Sequence, residues 1–139
     1  MSTEENKVIV RRYLEEAWNQ GNLTILDELM TPGYARYMSG QPPLDRESQK
    51  QRIASFRQAL PDVRLTLEDL VAEGDRVVFR ITLHGTQLGT LMGVPPTGKA
   101  VTIAAIDIAR LEGGKIVEHW GQMDTYGLLQ QLGASPTPG

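Results

Sequence analysis

Two kinds of hydrophobic periodicity divide this sequence, and their order constrains the fold more than any other feature. In the first half, apolar residues recur at the spacing of one helical face. They are Val10, Tyr13, Leu14, Ala17 and Trp18. In the second half, the stretch 77–85 (VVFRITLHG) alternates apolar and polar residues, as a half-buried strand does. Helices followed by strands with short turns predict an α+β fold, in which helices cover one face of a largely antiparallel sheet.

Local signals predict where the helices begin and end. Ser2 and Glu5 have the spacing of a capping box at the start of the first helix. Pro32 is expected to end a short second helix, because the residue before a proline disfavours helical angles. A third helix is predicted from near Asp45 up to Pro61.

Three further segments are predicted to be strands. They are VRLTLEDLVAEG, AVTIAAIDIARL and IVEHWGQM. The chain has 139 residues, the size of one ordinary domain, and it contains no internal repeat. We therefore predict a single domain over residues 1–133 and a flexible tail over residues 134–139.

The composition excludes several classes of function. A net charge of −3 argues against a nucleic-acid partner, which requires a basic surface. Cysteine is absent and only two histidines are present, so disulfides, thiolate metal sites and multi-histidine zinc sites are not expected. No apolar run has the length of a membrane span, and the acidic first residues are unlike a secretory signal. These features predict a soluble, cytoplasmic protein without metal or membrane partners.

Four stretches occur in an order that is typical of one protein family. They are LEEAWNQGNLTILDELMTPGY, ALPDVRLTLEDLVAEGDRVVFR, GTQLGTLMGVPPTGK and GGKIVEHWGQMDTYGLLQQLG. In these stretches the chain resembles the SnoaL-like polyketide cyclase, or ester cyclase, family. The resemblance implies a cone-shaped fold like that of nuclear transport factor 2, with a curved, mostly antiparallel sheet covered by N-terminal helices and enclosing a chamber. It also implies a homodimer that closes a ring in a polyketide methyl ester by an intramolecular aldol reaction, without a cofactor.

Asp124 is the predicted catalytic residue, because it matches the acid/base of the family four residues after Trp120. If residues 116–124 form one regular strand, Trp120, Gln122 and Asp124 share a face, and Trp120 would shield Asp124 from water. The residues alone favour another interpretation, in which Asp124 caps the helix predicted over residues 126–132. The two roles are compatible.

Four other titratable residues are candidate ligands of the substrate. His119 is an odd number of residues from Asp124, which predicts that it points away from the chamber unless the strand contains a bulge. Asp107 lies in an apolar strand, where a buried carboxylate needs a partner, so it either faces the chamber or lies on an exposed or dimer face. Arg80 and His84 share a strand face; they would stabilise a developing enolate oxygen or else form a solvated or dimer surface.

The sequence departs from its relatives at two positions. Tyr37 and Gln87 stand where many relatives carry histidine, and both keep a hydrogen-bonding group. The segment 93–99 (GVPPTGK) looks like a phosphate loop, but Ala100 follows it where a serine or threonine is needed. We expect this segment to be a loop at the rim of the chamber.

The leading hypothesis is a cofactor-free enzyme that acts on a hydrophobic carbonyl or ester substrate by acid/base chemistry and forms a C–C bond. A second hypothesis is an epoxide hydrolase, isomerase or hydratase, for which Arg80 would converge with Asp107 and Asp124. A third is a small-molecule binding protein without catalysis.

Overall fold

The computed structural model describes residues 1–134, so the predicted tail beyond Ala134 lies outside the described residues. The helices are α1 (Thr3–Arg12), α2 (Ile25–Leu29), α3 (Arg46–Ala59) and α4 (Thr125–Gln131), and a π-helical segment (Tyr13–Asn19) continues α1. The strands are β1 (Met30–Tyr37), β2 (Arg64–Glu73), β3 (Arg76–Thr86), β4 (Ala100–Glu112) and β5 (Lys115–Met123). No helix within residues 1–134 is long and apolar enough to cross a membrane.

The predicted helix starts are confirmed by the capping contacts. The Ser2 hydroxyl accepts a hydrogen bond from the Glu5 amide at 3.1 Å, and the Glu5 carboxylate accepts one from the Ser2 amide at 3.3 Å. The Asp45 carboxylate caps α3 by accepting from the Ser48 amide at 2.8 Å. These contacts satisfy amides that have no partner within the helix.

The five strands form one sheet in the order β1-β5-β4-β3-β2. All neighbours are antiparallel except β1 and β5, which are parallel, so the predicted α+β fold with a mostly antiparallel sheet is confirmed. The strand β1 was not predicted from the sequence. It includes Pro32, because α2 already ends at Leu29 and the chain continues in extended conformation.

One face of the sheet packs against the helices and carries the core. Inward residues alternate with outward ones along β3 and β4, as the period of two requires. The inward residues of these strands are Val77, Phe79, Ile81, Leu83, Val101, Ile103, Ala105, Asp107, Ala109 and Leu111. Each fully buried large apolar side chain contributes roughly 1.5–3 kcal/mol to the hydrophobic stabilisation of the fold. Asp107 interrupts this apolar surface with a charge.

A bulge in β5 decides which residues of that strand face inward. Val117 has no partner on β4, and the register of the two strands shifts there. Ile116 is buried before the bulge and His119 after it, so these two inward side chains lie three positions apart, where a regular strand requires an even offset. Trp120 therefore lies on the outer face. This arrangement corrects the predicted faces of β5, because the prediction assumed a regular strand.

Candidate active site

A cavity of about 660 Å³ lies between α3 and the inner face of the sheet. Its volume is in the range of sites that hold small molecules. Arg36 of β1, Arg52 and Phe56 of α3, and Gly121 and Met123 near the end of β5 contribute to its wall. The two arginines are the charged residues of this wall, which contains no carboxylate among the described residues.

A narrow recess adjoins the cavity and leads to the core. It shares Arg36, Arg52 and Met123 with the cavity wall, and Asp107 forms part of its lining. Its volume of about 20 Å³ is enough for one water-sized group. The recess therefore connects the ligand-sized space to a buried carboxylate.

Four buried side chains form a hydrogen-bonded network beside this recess. His119 Nε2 lies 2.7 Å from Asp107 Oδ2, and Arg36 Nη1 donates to the same oxygen at 3.2 Å. The Tyr34 hydroxyl lies 3.0 Å from His119 Nδ1. A neutral His119 with its proton on Nε2 donates to Asp107 Oδ2 and accepts at Nδ1 from the Tyr34 hydroxyl. Arg36 Nη1 also lies 2.8 Å from His119 Nε2, so the three charged or polar groups are in mutual contact.

The sheet register brings these residues together from three strands. Arg36 on β1 is paired with His119 on β5, and Asp107 on β4 is paired with Gly121 on β5. Gly121 has no side chain, and a Cβ there would clash with the Arg36 guanidinium and lie 3.0 Å from Asp107 Oδ1. The glycine therefore leaves the space through which the arginine reaches the aspartate.

Burial and the neighbouring charges set the protonation states of the network. Burial lowers the pKa of His119 to about 4, and the charge of Arg36 acts in the same direction, so the imidazole is neutral at pH 7. Burial alone would raise the pKa of Asp107, but the hydrogen bond from His119 and the charge of Arg36 outweigh it and hold the pKa below its usual value. Asp107 is therefore an ionised carboxylate at neutral pH.

One oxygen of the Asp107 carboxylate has no hydrogen-bond partner among the described residues. Both hydrogen bonds from His119 and Arg36 go to Oδ2, whereas Oδ1 is buried without a hydrogen-bond partner among the described residues. An unpartnered carboxylate oxygen in a buried position is costly, and such atoms in native structures call for an explanation. This one is next to the recess, where it can accept a proton from a ligand or from a bound water molecule.

Asp124 occupies a different place from the one predicted. It is exposed and caps α4, with its carboxylate accepting from the Gly127 amide at 2.9 Å. Its neighbours Met123 and Thr125 line the cavity, but Asp124 is not part of the wall. Trp120, on the outer face, does not shield it from water. The capping alternative weighed from the sequence describes its observed contact.

Trp120 and Tyr37 lie together on the outer face of the sheet. Their rings are stacked with centroids 5.8 Å apart, and the Arg76 guanidinium lies 5.4 Å from the centre of the Trp120 ring. Arg80 and His84 are also on this outer side, where Arg80 forms an ion pair with Asp69 at 2.6 Å. The predicted chamber position of Trp120 and the predicted substrate contact of Tyr37 are thereby corrected, because the inner positions of β5 and β1 belong to the other parity. For Arg80 and His84 the outer position agrees with the alternative of a solvated or dimer surface.

Two glutamines named from the sequence have different surroundings. Gln122 is exposed at the cavity wall, where its amide donates to Ser39 Oγ at 2.7 Å. Gln87 is fully buried and holds the segment 93–99 in place, donating to the Val94 carbonyl at 2.9 Å and accepting from Thr97 Oγ1 at 2.6 Å. The loop between β3 and β4 reaches the cavity through Met92.

The sequence-based interpretation did not single out Arg36 or Arg52, and it placed His119 outside. The period-two spacing of Tyr34 and Arg36 is a strand signal, but Pro32 and the adjacent glycine obscured it. Arg80, Asp107 and Asp124 do not converge, since Asp107 alone is on the inner face. Among residues 1–134, no group of three or more histidine or acidic side chains is arranged to hold a metal ion.

A five-stranded sheet with helices over one face and a cavity between them defines an α+β protein like nuclear transport factor 2. The chain belongs to the SnoaL-like polyketide cyclase family, whose family model matches residues 8–132. It is thereby assigned to a family of cyclase-type enzymes.

Three similar proteins illustrate this relationship. Aklanonic acid methyl ester cyclase DauD from Streptomyces sp. (strain C5) is 30% identical, over 94% of this chain and 83% of DauD. Nogalonic acid methyl ester cyclase from Streptomyces nogalater is 30% identical, over 84% of this chain and 90% of the relative. The crystal structure of AclR, a proposed hydroxylase from Streptomyces galilaeus, superposes with a TM-score of 0.87 at 31% identity, over 97% of this chain and 100% of AclR.

Proposed function

We propose that this protein closes a ring in a hydrophobic polyketide by an intramolecular aldol reaction in the cavity between α3 and the sheet, without a cofactor. The family membership and two methyl ester cyclases among the relatives support this reaction. The observation that carries the proposal is the unpartnered Oδ1 of the ionised Asp107 beside the recess.

In the proposed reaction, Asp107 Oδ1 removes a proton from a carbon next to a carbonyl group. The electron pair left on that carbon forms an enolate, which attacks a second carbonyl carbon of the same molecule and makes the new C–C bond. The second carbonyl oxygen becomes an alkoxide and takes back the proton from Asp107. The product is an isomer of the substrate, so the reaction needs no co-reactant.

The neighbours of Asp107 support this assignment through their geometry. Arg36 and His119 fix the orientation of the carboxylate through Oδ2, which leaves Oδ1 free to act as base, while the same two contacts lower the pKa of Asp107 and make it a weaker base. Arg52 provides a second positive charge at the cavity wall. Asp124, which the family resemblance favours as the acid/base, remains the competing candidate and must enter the same test.

Two isosteric variants separate the candidate bases. We expect Asp107→Asn to lower kcat on aklanonic or nogalonic acid methyl ester by about 100-fold or more, because an amide cannot accept the proton. We expect Asp124→Asn to keep kcat within about threefold of the wild type, since asparagine is an equally good helix cap. Turnover is measured by liquid chromatography with mass detection, against the free acids as additional substrates.

The circular dichroism spectrum and the melting temperature of each variant must show that it is folded. A folded Asp107→Asn variant with wild-type kcat would rule out Asp107 as the base. If Asp124→Asn alone loses activity, Asp124 is the base despite its exposed position. If the wild type converts none of these compounds, yet binds them, the proposed reaction itself is wrong.

A second candidate reaction is hydroxylation, suggested by the similarity to AclR over nearly the whole of both chains. That reaction would consume molecular oxygen and two electrons from an external reductant, with one oxygen atom entering the product and the other leaving as water. The same assay distinguishes the two reactions by mass. Cyclisation leaves the mass of the substrate unchanged, whereas hydroxylation adds one oxygen atom.

We also propose that two copies of the chain associate through the outer face of the sheet. A row of apolar residues crosses all five strands there through direct register pairs. The row consists of Val71, Val78, Ile108, Trp120 and Tyr37. Ile106 lies beside it and is 54% exposed, and Val71 is 61% exposed. An exposed apolar surface of this kind is typical of a protein interface.

A further inference from the structure

Arg52 is a cation without a protein partner at the cavity wall. It projects from α3, is half-buried, and lines both the cavity and the recess. Within residues 1–134 it makes no hydrogen bond and no ion pair; its guanidinium lies 5.1 Å from the centre of the Phe56 ring and 6.0 Å from that of Trp18. A guanidinium group offers five hydrogen-bond donors, and here none of them is used by the protein.

The other arginines near α3 differ from Arg52 in this respect. Arg36 is bound to Asp107, and Arg46 forms an ion pair with Asp27 at 3.3 Å. Arg57 donates to the backbone carbonyls of Trp18 and Asn19. Arg52 is therefore the residue of this group whose charge remains free for something outside the protein.

The charges around the cavity do not balance. Arg36 and Arg52 carry two positive charges, Asp107 carries one negative charge, and His119 is neutral at pH 7, which leaves one positive charge. Burial and the nearby charge of Arg36 lower the pKa of Arg52 to about 10, which means that the charged form of Arg52 is less favourable here than in water. A negatively charged ligand would stabilise the charged form of Arg52.

We propose that Arg52 binds an ionised carboxylate of the substrate, so that this protein prefers a polyketide acid to the corresponding methyl ester. The donors of Arg52 match the two oxygens of a carboxylate, and the rings of Phe56 and Trp18 hold the guanidinium at the cavity wall. Two cyclases similar to this chain are named for methyl esters, in which the carboxyl group is esterified and carries no charge. The inference rests on the proposed function only in taking the same cavity as the substrate site.

The contacts with the aromatic rings are an alternative reason for an arginine at position 52. A cation over an aromatic ring contributes about 0.5–1 kcal/mol at an exposed site. In a purely structural role, Arg52 would make these contacts and would not bind the substrate. Such a role predicts that loss of the charge lowers stability and weakens all ligands equally. The carboxylate-binding role predicts that the loss is specific to acids.

Aklanonic acid and aklanonic acid methyl ester form a matched pair of probes, since they differ only at the carboxyl group. Isothermal titration calorimetry at neutral pH gives the Kd of each for the wild type and for three variants. Arg52→Met removes the charge and keeps the length of the side chain, while Arg52→Lys keeps the charge. Arg46→Met is the control, because it removes one positive charge from the same helix but outside the cavity wall.

We expect the wild type to bind the acid about tenfold or more tightly than the ester, as for a charge-assisted, bidentate contact. Arg52→Met should lose that preference by weakening the acid about tenfold while changing the ester by less than about threefold. Arg52→Lys should keep part of the preference, and Arg46→Met all of it. Equal binding of acid and ester by the wild type, or equal weakening of both in Arg52→Met, would overturn the proposal.

This test is independent of turnover. The same titrations with Asp107→Asn measure binding in a protein that cannot carry out the proposed proton transfer. If the acid preference persists and no cyclisation occurs in the wild type, the proposed reaction fails and the binding role of Arg52 stands. If cyclisation occurs but the ester is bound as well as the acid, only the role of Arg52 is wrong.

Discussion

His119 is a neutral imidazole enclosed by aromatic rings and by two polar partners. It is 1% exposed, and the rings of Tyr13, Tyr34 and Phe79 lie with centroids 5.6–6.2 Å from its own. Protonation would place a second cation against Arg36 in a buried position. The residue therefore acts as a fixed hydrogen-bonding link between Tyr34 and Asp107, and its charging opposes the folded state.

This burial predicts a loss of stability in mild acid. The pKa of His119 is about 4 in the folded protein and 6.5 when unperturbed, so between these values the unfolded chain binds a proton that the folded chain does not. The free energy of unfolding should therefore fall by about 3 kcal/mol as the pH decreases from 6.5 to 4, and then level off for this group. Urea denaturation across this pH range measures the change.

A His119→Gln variant serves as the reference for other titrating groups. The pKa of Asp107 is lowered from 3.8, so its own contribution is present above that value and is lost only at lower pH, outside the window of His119. The slope between pH 4 and 6.5 should be smaller in the variant. An unchanged slope would mean that His119 is not the group responsible.

At this scale the sequence predicted part of the network. Asp107 was expected to need a partner if buried, and the strand period placed it correctly with Val101, Ile103 and Ala105. The inward position of His119 could not be predicted, because it depends on one unpaired residue of β5. Such a bulge depends on how two strands pair, and the residue pattern of one strand carries no information about that pairing.

At the scale of elements, α4 depends on the cap at its start. Asp124→Ala removes the carboxylate that accepts from the Gly127 amide, and we expect it to lower the free energy of unfolding by about 1 kcal/mol. The amides of residues 125–128 should exchange faster with deuterium, since the first turn loses its partner. Urea denaturation and hydrogen exchange measure these two effects.

Asp124→Asn is the matched comparison, because asparagine caps helices as well as aspartate does. Its stability should remain within a few tenths of a kcal/mol of the wild type. Equal destabilisation in both variants would show that the charge of Asp124, and not its hydrogen bond, supports α4.

The long, strongly patterned elements were the predictable ones. α1, α3, β3 and β4 each show a regular period or a capping signal, and their approximate positions followed from the sequence. β1 was missed because its pairing is parallel and joins distant parts of the chain, while its proline and glycine resemble a loop. The cavity depends on β1 through Arg36, so the composition of its wall could not be predicted either.

At the scale of the whole molecule, the apolar row on the outer face predicts self-association. We expect the wild type to be a dimer and Val78→Asp to be a monomer, because a charge in the centre of an apolar interface is costly to bury. Size-exclusion chromatography with light scattering measures the mass. Ala54→Asp, which adds the same charge on the exposed side of α3, is the control and should remain a dimer.

A monomeric wild type at micromolar concentration would contradict this prediction. A dimeric Val78→Asp protein would place the interface elsewhere. In either case the inner network is unaffected, since Val78 and Asp107 are on opposite faces of the sheet.

The parallel pairing of β1 with β5 has a consequence for the order of events during synthesis. β1 is made early, yet within residues 1–134 it pairs in the sheet with the last strand, β5. Arg36 is likewise synthesised well before its partners Asp107 and His119. Until then Arg36 has no carboxylate partner, and the contacts that pair it are far apart in the sequence and slow to form. The domain is therefore expected to fold only after β5 has left the exit tunnel, with the Arg36–Asp107 contact as one of its last steps.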